Sequence, residues 1–251
     1  MSLPSNQAIC LEHLTKAFSP ERKVLDDVSF SVPRGEVFCL LGKSGTGKSV
    51  TLKLIMALLR PDEGKILIDG EDVLALDTHA LQETRKKVGF LFQNAALFDS
   101  ISLRENLAFP LRRHTAKPEA EIAEVVKQKL EAVGLGNDGD KMPSDLSGGM
   151  KKRAGLARAL VLDPQILLVD EPSSGLDRIT AGEIHELLGE LKEKNGTSMI
   201  LVTHDPAGVR RFTDQIAVLD GGRIVANGTP DELEQSDNEL VRELVQGGQD
   251  R

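Results

Sequence analysis

The stretch GKSGTGKSV, residues 42–50, combines glycines, lysines and hydroxyl side chains in a spacing that could bind phosphate. Residues 42–49 fit the pattern G-x-x-x-x-G-K-[ST] without a gap. Glycines let the backbone approach a phosphate closely, and successive N–H groups at a helix start attract negative charge. In this pattern Lys48 would reach the β- and γ-phosphates of a nucleotide, and the Ser49 hydroxyl would ligate Mg²⁺. The predicted phosphate-binding residues are Gly42, Lys43, Ser44, Gly45, Thr46, Gly47, Lys48, Ser49 and Val50.

Two adjacent carboxylates end the apolar run ILLVDE, residues 166–171. Strand alternation would place Asp170 and Glu171 on different sides of the strand end. One of them could then face Mg²⁺ and the other an attacking water. The alternative, two solvated acids that close a strand, is disfavoured because the phosphate-binding loop independently requires a carboxylate for its metal.

A second candidate phosphate cradle is LSGGM, residues 146–150, followed by KKRAGLARALVL. Ser147 is a natural helix N-cap, and Gly148 and Gly149 would expose backbone N–H groups at that helix start. One nucleotide does not need two cradles in one subunit, so this cradle is predicted to serve a nucleotide bound by another copy. The alternative is an ordinary capped amphipathic helix with a core face of Met150, Ala154, Ala157 and Leu160.

The flanking elements match these sites. EVFCLL predicts a buried strand before the loop, and SVTLKLIMALL predicts a fully buried helix that ends before Pro61. Residues of about 8–77 are predicted to form a β-rich region with a tight turn at Asp69–Gly70. The chain from Gln93 to about Leu162 is predicted to be mostly helical, with Ser102 capping one helix. SMILVT and QIAVLD predict buried strands, and a hairpin at Gly221–Gly222 leads into RIVANG.

Composition limits the class of protein. The chain has 251 residues, of which 40% are hydrophobic and 28% charged, as is ordinary for a soluble globular protein. The net charge of −8 argues against a nonspecific nucleic-acid binder. Two cysteines, Cys10 and Cys39, lie in apolar stretches and suggest neither disulfides nor zinc. Without a long apolar segment or a signal peptide at the start, we expect a soluble, cytoplasmic protein.

The order of these motifs resembles that of the ABC transporter ATPase family. The glycine loop, LFQ ending at Gln93, LSGGM, ILLVDE, SGLD at residues 174–177 and VTHD around His204 follow one another as they do in that family. The resemblance covers about residues 8–228. It implies an α/β P-loop NTPase fold, with a RecA-like core of the ABC ATPase type, an antiparallel β subdomain and a helical subdomain at about 94–162. Residues 1–228 would form a single ABC ATPase domain, and 229–251 a C-terminal helical extension.

The resemblance also assigns roles to single residues. Glu171 would be the general base that polarises the attacking water, and His204 would sense the γ-phosphate. Gln93 would link the lobes and touch Mg²⁺ and water, so that the implied metal ligands are Ser49, Gln93 and Asp170. Phe18 occupies the place of an aromatic that stacks on adenine, although a core phenylalanine remains the alternative. The remaining nucleotide contacts, which come from the second subunit, would be Ser147, Gly148, Gly149, Met150 and Asp177.

Within this family the chain is similar to the ATPases of the Mla/Mce type, which power lipid movement between bacterial membranes. This similarity lies in residues 85–112, in SGLDRIT at 174–180, and in Met150, which stands where most relatives have glutamine. Val50, which replaces a family hydroxyl on the α-phosphate, also recurs in that branch. The resemblance implies ATP and Mg²⁺ as cofactors and a location at the cytoplasmic side of the inner membrane. The implied partners are a second copy, a polytopic permease and an MCE-type lipid-binding protein, with a small regulatory subunit left open.

Other functions stay open at this point. The first is an importer ATPase for amino acids or another small solute. The second is a soluble ABC-type ATPase that remodels DNA or ribosomes, although such proteins usually carry two cassettes or a long coiled-coil insertion. A nucleotide-binding structural subunit without turnover is disfavoured because Lys48, Asp170, Glu171 and His204 are all present.

Overall fold

A computed structural model of the protein describes residues 6–19, 22–204 and 206–247. Its strands are β1 (Gln7–Ser19), β2 (Arg22–Pro33), β3 (Val37–Leu41), β4 (Glu63–Ile68), β5 (Glu71–Asp72), β6 (Val88–Leu91), β7 (Ile166–Asp170), β8 (Ser198–Thr203), β9 (Gln215–Asp220) and β10 (Arg223–Gly228). Its α-helices are α1 (Lys48–Ile55), α2 (Thr78–Lys86), α3 (Leu103–His114), α4 (Glu119–Ala132), α5 (Gly148–Ala159), α6 (Arg178–Asn195), α7 (Pro230–Glu234) and α8 (Glu239–Gln246). The predicted strands and most predicted helices are confirmed.

The described residues divide into two compact units, one running up to Arg85 and resuming at Gly189, the other spanning Lys86–Leu188. The first unit holds an antiparallel sheet in the order β2-β1-β4-β5. It also holds β3 between two parallel neighbours, β8 and β9, with β10 antiparallel to β9. The hairpins at Asp69–Gly70 and Gly221–Gly222 have positive φ at both turn residues, as such tight turns require.

The second unit combines the parallel pair β6 and β7 with α3, α4, α5 and the part of α6 up to Leu188. Ser102 caps α3 as predicted, since its hydroxyl accepts from the Glu105 N–H at 3.3 Å. The apolar face predicted for α4 is also confirmed, because it packs into one core with α3 and α5. The α4 residues in or against this core are Ile122, Val125, Val126 and Leu130, with Val133 just after the helix.

The predicted extent of α1 is wrong. The helix ends at Ile55 instead of continuing to Leu59, and Leu58 is exposed. The physical reason is a contact across the first unit. Ala57 has a φ of 50°, in the left-handed region, and the Arg85 guanidinium donates to the carbonyls of Met56 at 3.1 Å and Ala57 at 3.0 Å. These bonds satisfy carbonyls that a continuing helix would have used.

The C-terminal segment forms two short helices as predicted. Helix α8 packs against α7, and α7 contacts β9 and β10. Val241 and Val245 are fully buried, while Leu240 and Leu244 are half-buried. The apolar face of α8 is therefore covered largely within its own chain. In the described residues, none of the helices is long and apolar enough to cross a membrane.

Candidate functional site: a glycine loop and a carboxylate strand end

The glycine loop joins β3 to α1 in the first unit. Strand β3 is buried throughout, so the chain leaves the core at Gly42 and re-enters it at Lys48, where α1 begins. Gly47 has a φ of 109°, and a Cβ there would lie 2.8 Å from the Val24 carbonyl oxygen. Only glycine fits this position. Lys43, Ser44 and Gly45 are exposed, so a ligand can reach the loop between its two anchored ends.

The Lys48 side chain is held inside the loop. Its ammonium group donates to the carbonyl oxygens of Gly42 at 2.7 Å and Lys43 at 3.1 Å, and the residue is only 5% exposed. The Thr46 hydroxyl donates to the same Lys43 carbonyl at 2.9 Å. An ammonium group held by these loop carbonyls offers the positive charge and the hydrogen-bond donors that bind a phosphate.

Val50 and Thr51 differ in their surroundings within α1. Val50 is half-buried, whereas Thr51 is fully buried and its hydroxyl donates to the Gly47 carbonyl at 3.2 Å. The Thr51 hydroxyl is therefore engaged inside the helix. This contact keeps the Thr51 hydroxyl from replacing the one that Val50 lacks.

Val50→Thr is expected to tighten the binding of ATP and ADP modestly and to change maximal turnover little. Both nucleotides carry an α-phosphate, and one hydrogen bond to a charged group contributes roughly 1.5–3 kcal/mol when nothing else replaces it. Backbone donors of the loop remain, so we expect the low end of that range. The measurement is the Kd for each nucleotide, with Val225→Thr on exposed β10 as the matched control. Unchanged or weaker affinity for both nucleotides would show that the valine methyls only pack under the loop.

The two carboxylates lie where β7 ends, in the second unit. Asp170 is the last residue of a fully buried strand, and Glu171 is buried as well. Glu171 has a φ of 47°, outside the extended region. The argument from strand alternation is therefore wrong for Glu171, because alternation applies only while the backbone stays extended. The direction of its side chain depends on this turn in the backbone.

Lys152, in the middle of α5, contacts the same turn. Its ammonium group donates to the Glu171 carbonyl oxygen at 2.6 Å, and the residue is 4% exposed. Burial lowers the pKa of Lys152 to about 8, against the opposing attraction of Asp170 and Glu171. The sequence analysis did not single out Lys152. The available signal was a lysine three residues after Gly149 and four before Leu156, on the buried face of the helix.

The start of α5 confirms the predicted N-cap. The Ser147 hydroxyl accepts from the Met150 N–H at 3.2 Å, and α5 begins at Gly148. A Cβ on Gly149 would overlap the Thr180 methyl group, so the loop packs closely on the segment after SGLD. Met150 is half-buried against the core of this unit. The exposed Ser147 and Gly148 leave the helix start accessible to an anion.

Asp177 is tied to the same region through Thr180. Its carboxylate accepts from the Thr180 hydroxyl at 2.7 Å and from the N–H groups of Ile179 at 3.0 Å and Thr180 at 3.1 Å. These bonds, the Thr180 hydroxyl first, hold the pKa of Asp177 below its usual value. Because Thr180 also contacts Gly149, the glycine cradle and the exposed Asp177 form one local surface.

Gln93 follows β6 and is exposed. Its amide nitrogen donates to the Ser174 hydroxyl at 3.3 Å. The turn after it contains Ala95 and Ala96, both with positive φ, and the Arg158 guanidinium donates to their carbonyls at 2.8 and 2.6 Å. Arg158 is a second α5 residue that the sequence analysis did not identify.

Phe18 and His204 lie on the first unit. Phe18 is 60% exposed near the end of β1, with the Lys16 ammonium 5.7 Å from its ring centroid. This exposure excludes the alternative of a core phenylalanine and leaves a ring available for stacking. His204 is exposed directly after β8. The first unit thus carries Phe18, residues 42–50 and His204, and the second carries Gln93, residues 147–150, Asp170, Glu171 and Asp177.

A strand, a glycine loop and a helix that starts at a buried lysine, together with a carboxylate at a strand end, define the class of P-loop nucleoside triphosphatases. The sequence pattern of the family described as ABC transporter matches residues 25–174. That match spans more than half of the chain, and the chain belongs to this family. It is accordingly an ABC-type ATPase subunit that binds and hydrolyses ATP.

Individual relatives agree with this assignment. The chain is 46% identical to the probable ribonucleotide transport ATP-binding protein mkl of Mycobacterium leprae, over 98% of this chain and 70% of that protein. It is 42% identical to the intermembrane phospholipid transport system ATP-binding protein MlaF of Haemophilus influenzae, over 92% of this chain and 87% of that protein. Its fold matches the ATP-binding cassette MJ0796, solved as a dimer in a post-hydrolysis state with ADP and Pi, at a TM-score of 0.82 and 32% identity. That match covers 88% of this chain and 98% of the cassette.

Proposed function

We propose that this protein hydrolyses ATP at the cytoplasmic face of a bacterial inner membrane to drive a permease that moves phospholipid between membranes. The observation that carries the proposal is the similarity to the intermembrane phospholipid transport ATP-binding protein, which extends over 92% of this chain and 87% of that relative. Met150 in the signature stretch and Val50 in the glycine loop, both departures from the general family, point to the same branch.

The first unit would bind the nucleotide. The buried ammonium of Lys48, already bonded to two loop carbonyls, is suited to the β- and γ-phosphates. The exposed ring of Phe18 is suited to stacking on adenine, since its face is not packed into a core. His204, exposed after β8, would contact the γ-phosphate.

The second unit would activate water and supply metal ligands, in addition to Ser49 of the first unit. Ser49, Gln93 and Asp170 offer hydroxyl, amide and carboxylate oxygens, which are the hard donors that Mg²⁺ prefers. When bound, Mg²⁺ neutralises charge that develops on the phosphates. Glu171 would accept a proton from the attacking water, and Gln93 would orient that water.

Two copies would enclose two ATP molecules, each between the glycine loop of one copy and the Ser147–Met150 cradle of the other. The exposed helix start at Ser147 and Gly148, together with Asp177 on the same surface, supports this arrangement. The solved dimer of the MJ0796 cassette, at 32% identity, supports it independently. Hydrolysis would then open the pair and transmit the change to the permease.

An aromatic pair on the second unit is suited to docking the permease. Phe98 and Phe109 are 48% and 51% exposed, and their ring centroids lie 5.3 Å apart with an edge-on geometry. The buried Asn106 fixes this loop, because its amide nitrogen donates to the carbonyls of Phe98, Ile101 and Ser102 and its oxygen accepts from the Phe98 N–H. A rigidly held, exposed apolar patch is typical of a protein–protein interface.

Phe109→Ser is expected to abolish co-purification of the permease while ATP binding by the isolated subunit stays unchanged. Loss of a central aromatic anchor removes more than about 2 kcal/mol at typical interfaces. The matched control is Val225→Ser, which removes an exposed apolar side chain from β10 on the other unit. Co-purification of the permease with the Phe109→Ser protein would contradict the proposal that this aromatic pair docks the permease.

The cargo is tested by isolating the native complex and identifying the bound molecules by mass spectrometry. Phospholipid enriched over a control membrane protein supports the proposal.

The relatives named for probable ribonucleotide transport, at 46% identity, favour a second candidate in which the cargo is a nucleotide. Bound nucleotides with no enriched lipid would support that candidate and overturn the lipid proposal. An MCE-type protein in the same complex is expected only under the lipid proposal.

A further inference from the structure

We propose that Lys152 is a positioning residue that sets the direction of the Glu171 carboxylate by holding the Glu171 backbone. The inference rests on the proposed role of Glu171 as the general base. It goes beyond that role because it assigns to α5, the helix that starts at the nucleotide cradle, control over the group that activates water.

Glu171 has a strained backbone conformation. A non-glycine residue with positive φ is strained and persists only where its surroundings hold it. Here φ is 47°, and the next residue is Pro172, which itself disfavours helical backbone at the residue before it. The backbone at Glu171 therefore needs contacts that hold it in this conformation. That conformation sets the direction in which the Glu171 side chain leaves Cα.

Two donors hold the Glu171 carbonyl. The Glu171 carbonyl accepts from Lys152 Nζ at 2.6 Å and from the Ser174 N–H at 3.3 Å. The bond from lysine is charge-assisted and therefore the stronger of the two. Ser174 in turn accepts from the Gln93 amide at 3.3 Å. Lys152 thus supports a turn that carries the proposed base and contacts the proposed water-orienting residue.

Lys152 is a buried lysine. Lysine is almost never fully buried unless it is paired, because a buried charge loses its hydration. Lys152 is 4% exposed, with Asp170 and Glu171 as its attracting charges. A methionine could fill this space in the helix without a desolvation penalty. A donor aimed at the Glu171 carbonyl explains the lysine, whereas a purely apolar contact does not.

The test is the full-length Lys152→Met protein, which keeps the chain length and removes the donor. We expect kcat to fall between about 10- and 100-fold, since a displacement of about 1 Å at a catalytic group has effects on that scale. The Kd for ATP should stay within about two-fold of wild type, because the phosphate cradles are untouched. With ATP the variant should accumulate as a dimer, since hydrolysis and not assembly is slowed.

Three further variants separate positioning from stability. Lys192→Met is the control, because Lys192 also donates to a backbone carbonyl, that of Phe212 at 3.0 Å, and to the Asp214 carboxylate at 2.6 Å, both away from the proposed site. It should leave kcat per folded molecule unchanged. Lys152→Arg keeps a cationic donor and should recover part of the lost kcat. Lys152→Leu, which also lacks a donor, replaces Lys152→Met if that protein does not fold, and the same loss of kcat is expected.

The results of these measurements distinguish a positioning role of Lys152 from a purely structural one. Wild-type kcat in folded Lys152→Met or Lys152→Leu overturns the inference. So does a loss of kcat that Lys192→Met shares, or a loss of the ATP-dependent dimer, because either would indicate a structural role only. In a Glu171→Gln background Lys152→Met should have no further effect on turnover. If Glu171→Gln alone keeps wild-type turnover, it is the proposed base that fails and not the contact made by Lys152.

Discussion

Glu171→Gln is expected to lower ATP turnover at least ~100-fold, the usual scale for the loss of a general base, while ATP still binds. Glutamine has nearly the same shape, so the buried turn at the end of β7 can stay intact. An amide cannot accept the proton of the attacking water. The measurements are phosphate release and the Kd for ATP on the same preparation.

Two controls accompany the Glu171→Gln variant. With ATP, Glu171→Gln should run as a dimer on size exclusion, because the sandwich forms and does not open. Glu193→Gln, an exposed glutamate on α6, makes the same chemical change away from the site and should hydrolyse ATP normally. Wild-type turnover in Glu171→Gln would overturn the assignment of the base.

Lys48→Ala is expected to weaken nucleotide binding itself. The lost contact is a hydrogen bond to a charged group, which contributes roughly 1.5–3 kcal/mol, or about 10- to 100-fold in Kd. Direct titration with ATP and ADP measures this change. The loss of turnover should follow from the loss of binding, in contrast to Glu171→Gln, where binding survives.

A second variant at position 48 separates the loss of the phosphate contact from a loosening of the loop. Lys48 also bonds the carbonyls of Gly42 and Lys43, so alanine could loosen the loop. Lys48→Met keeps the packing of the side chain and should weaken binding similarly. Lys53→Ala, an exposed lysine on the same helix, is the charge-matched control. Wild-type affinity in both Lys48 variants would contradict the role of this residue.

The sequence predicted those parts of the protein that depend on neighbours along the chain. The glycine loop between a strand and a helix, the Ser147 and Ser102 caps and the apolar face of α4 all follow from spacings within one or two turns. Local hydrogen bonds and periodic burial leave such spacings in the sequence. The order of the motifs then indicated the family, and the comparisons agree with it.

The tertiary structure decided what depends on residues far apart in the chain. Arg85 ends α1 earlier than its apolar pattern indicates, by bonding the carbonyls of Met56 and Ala57. Lys152 reaches the Glu171 carbonyl across two elements of the second unit. A side chain that donates to a distant backbone carbonyl produces no periodic pattern, because any residue can supply the carbonyl. For the same reason the left-handed backbone of Glu171, and with it the direction of the proposed base, could be known only from the fold.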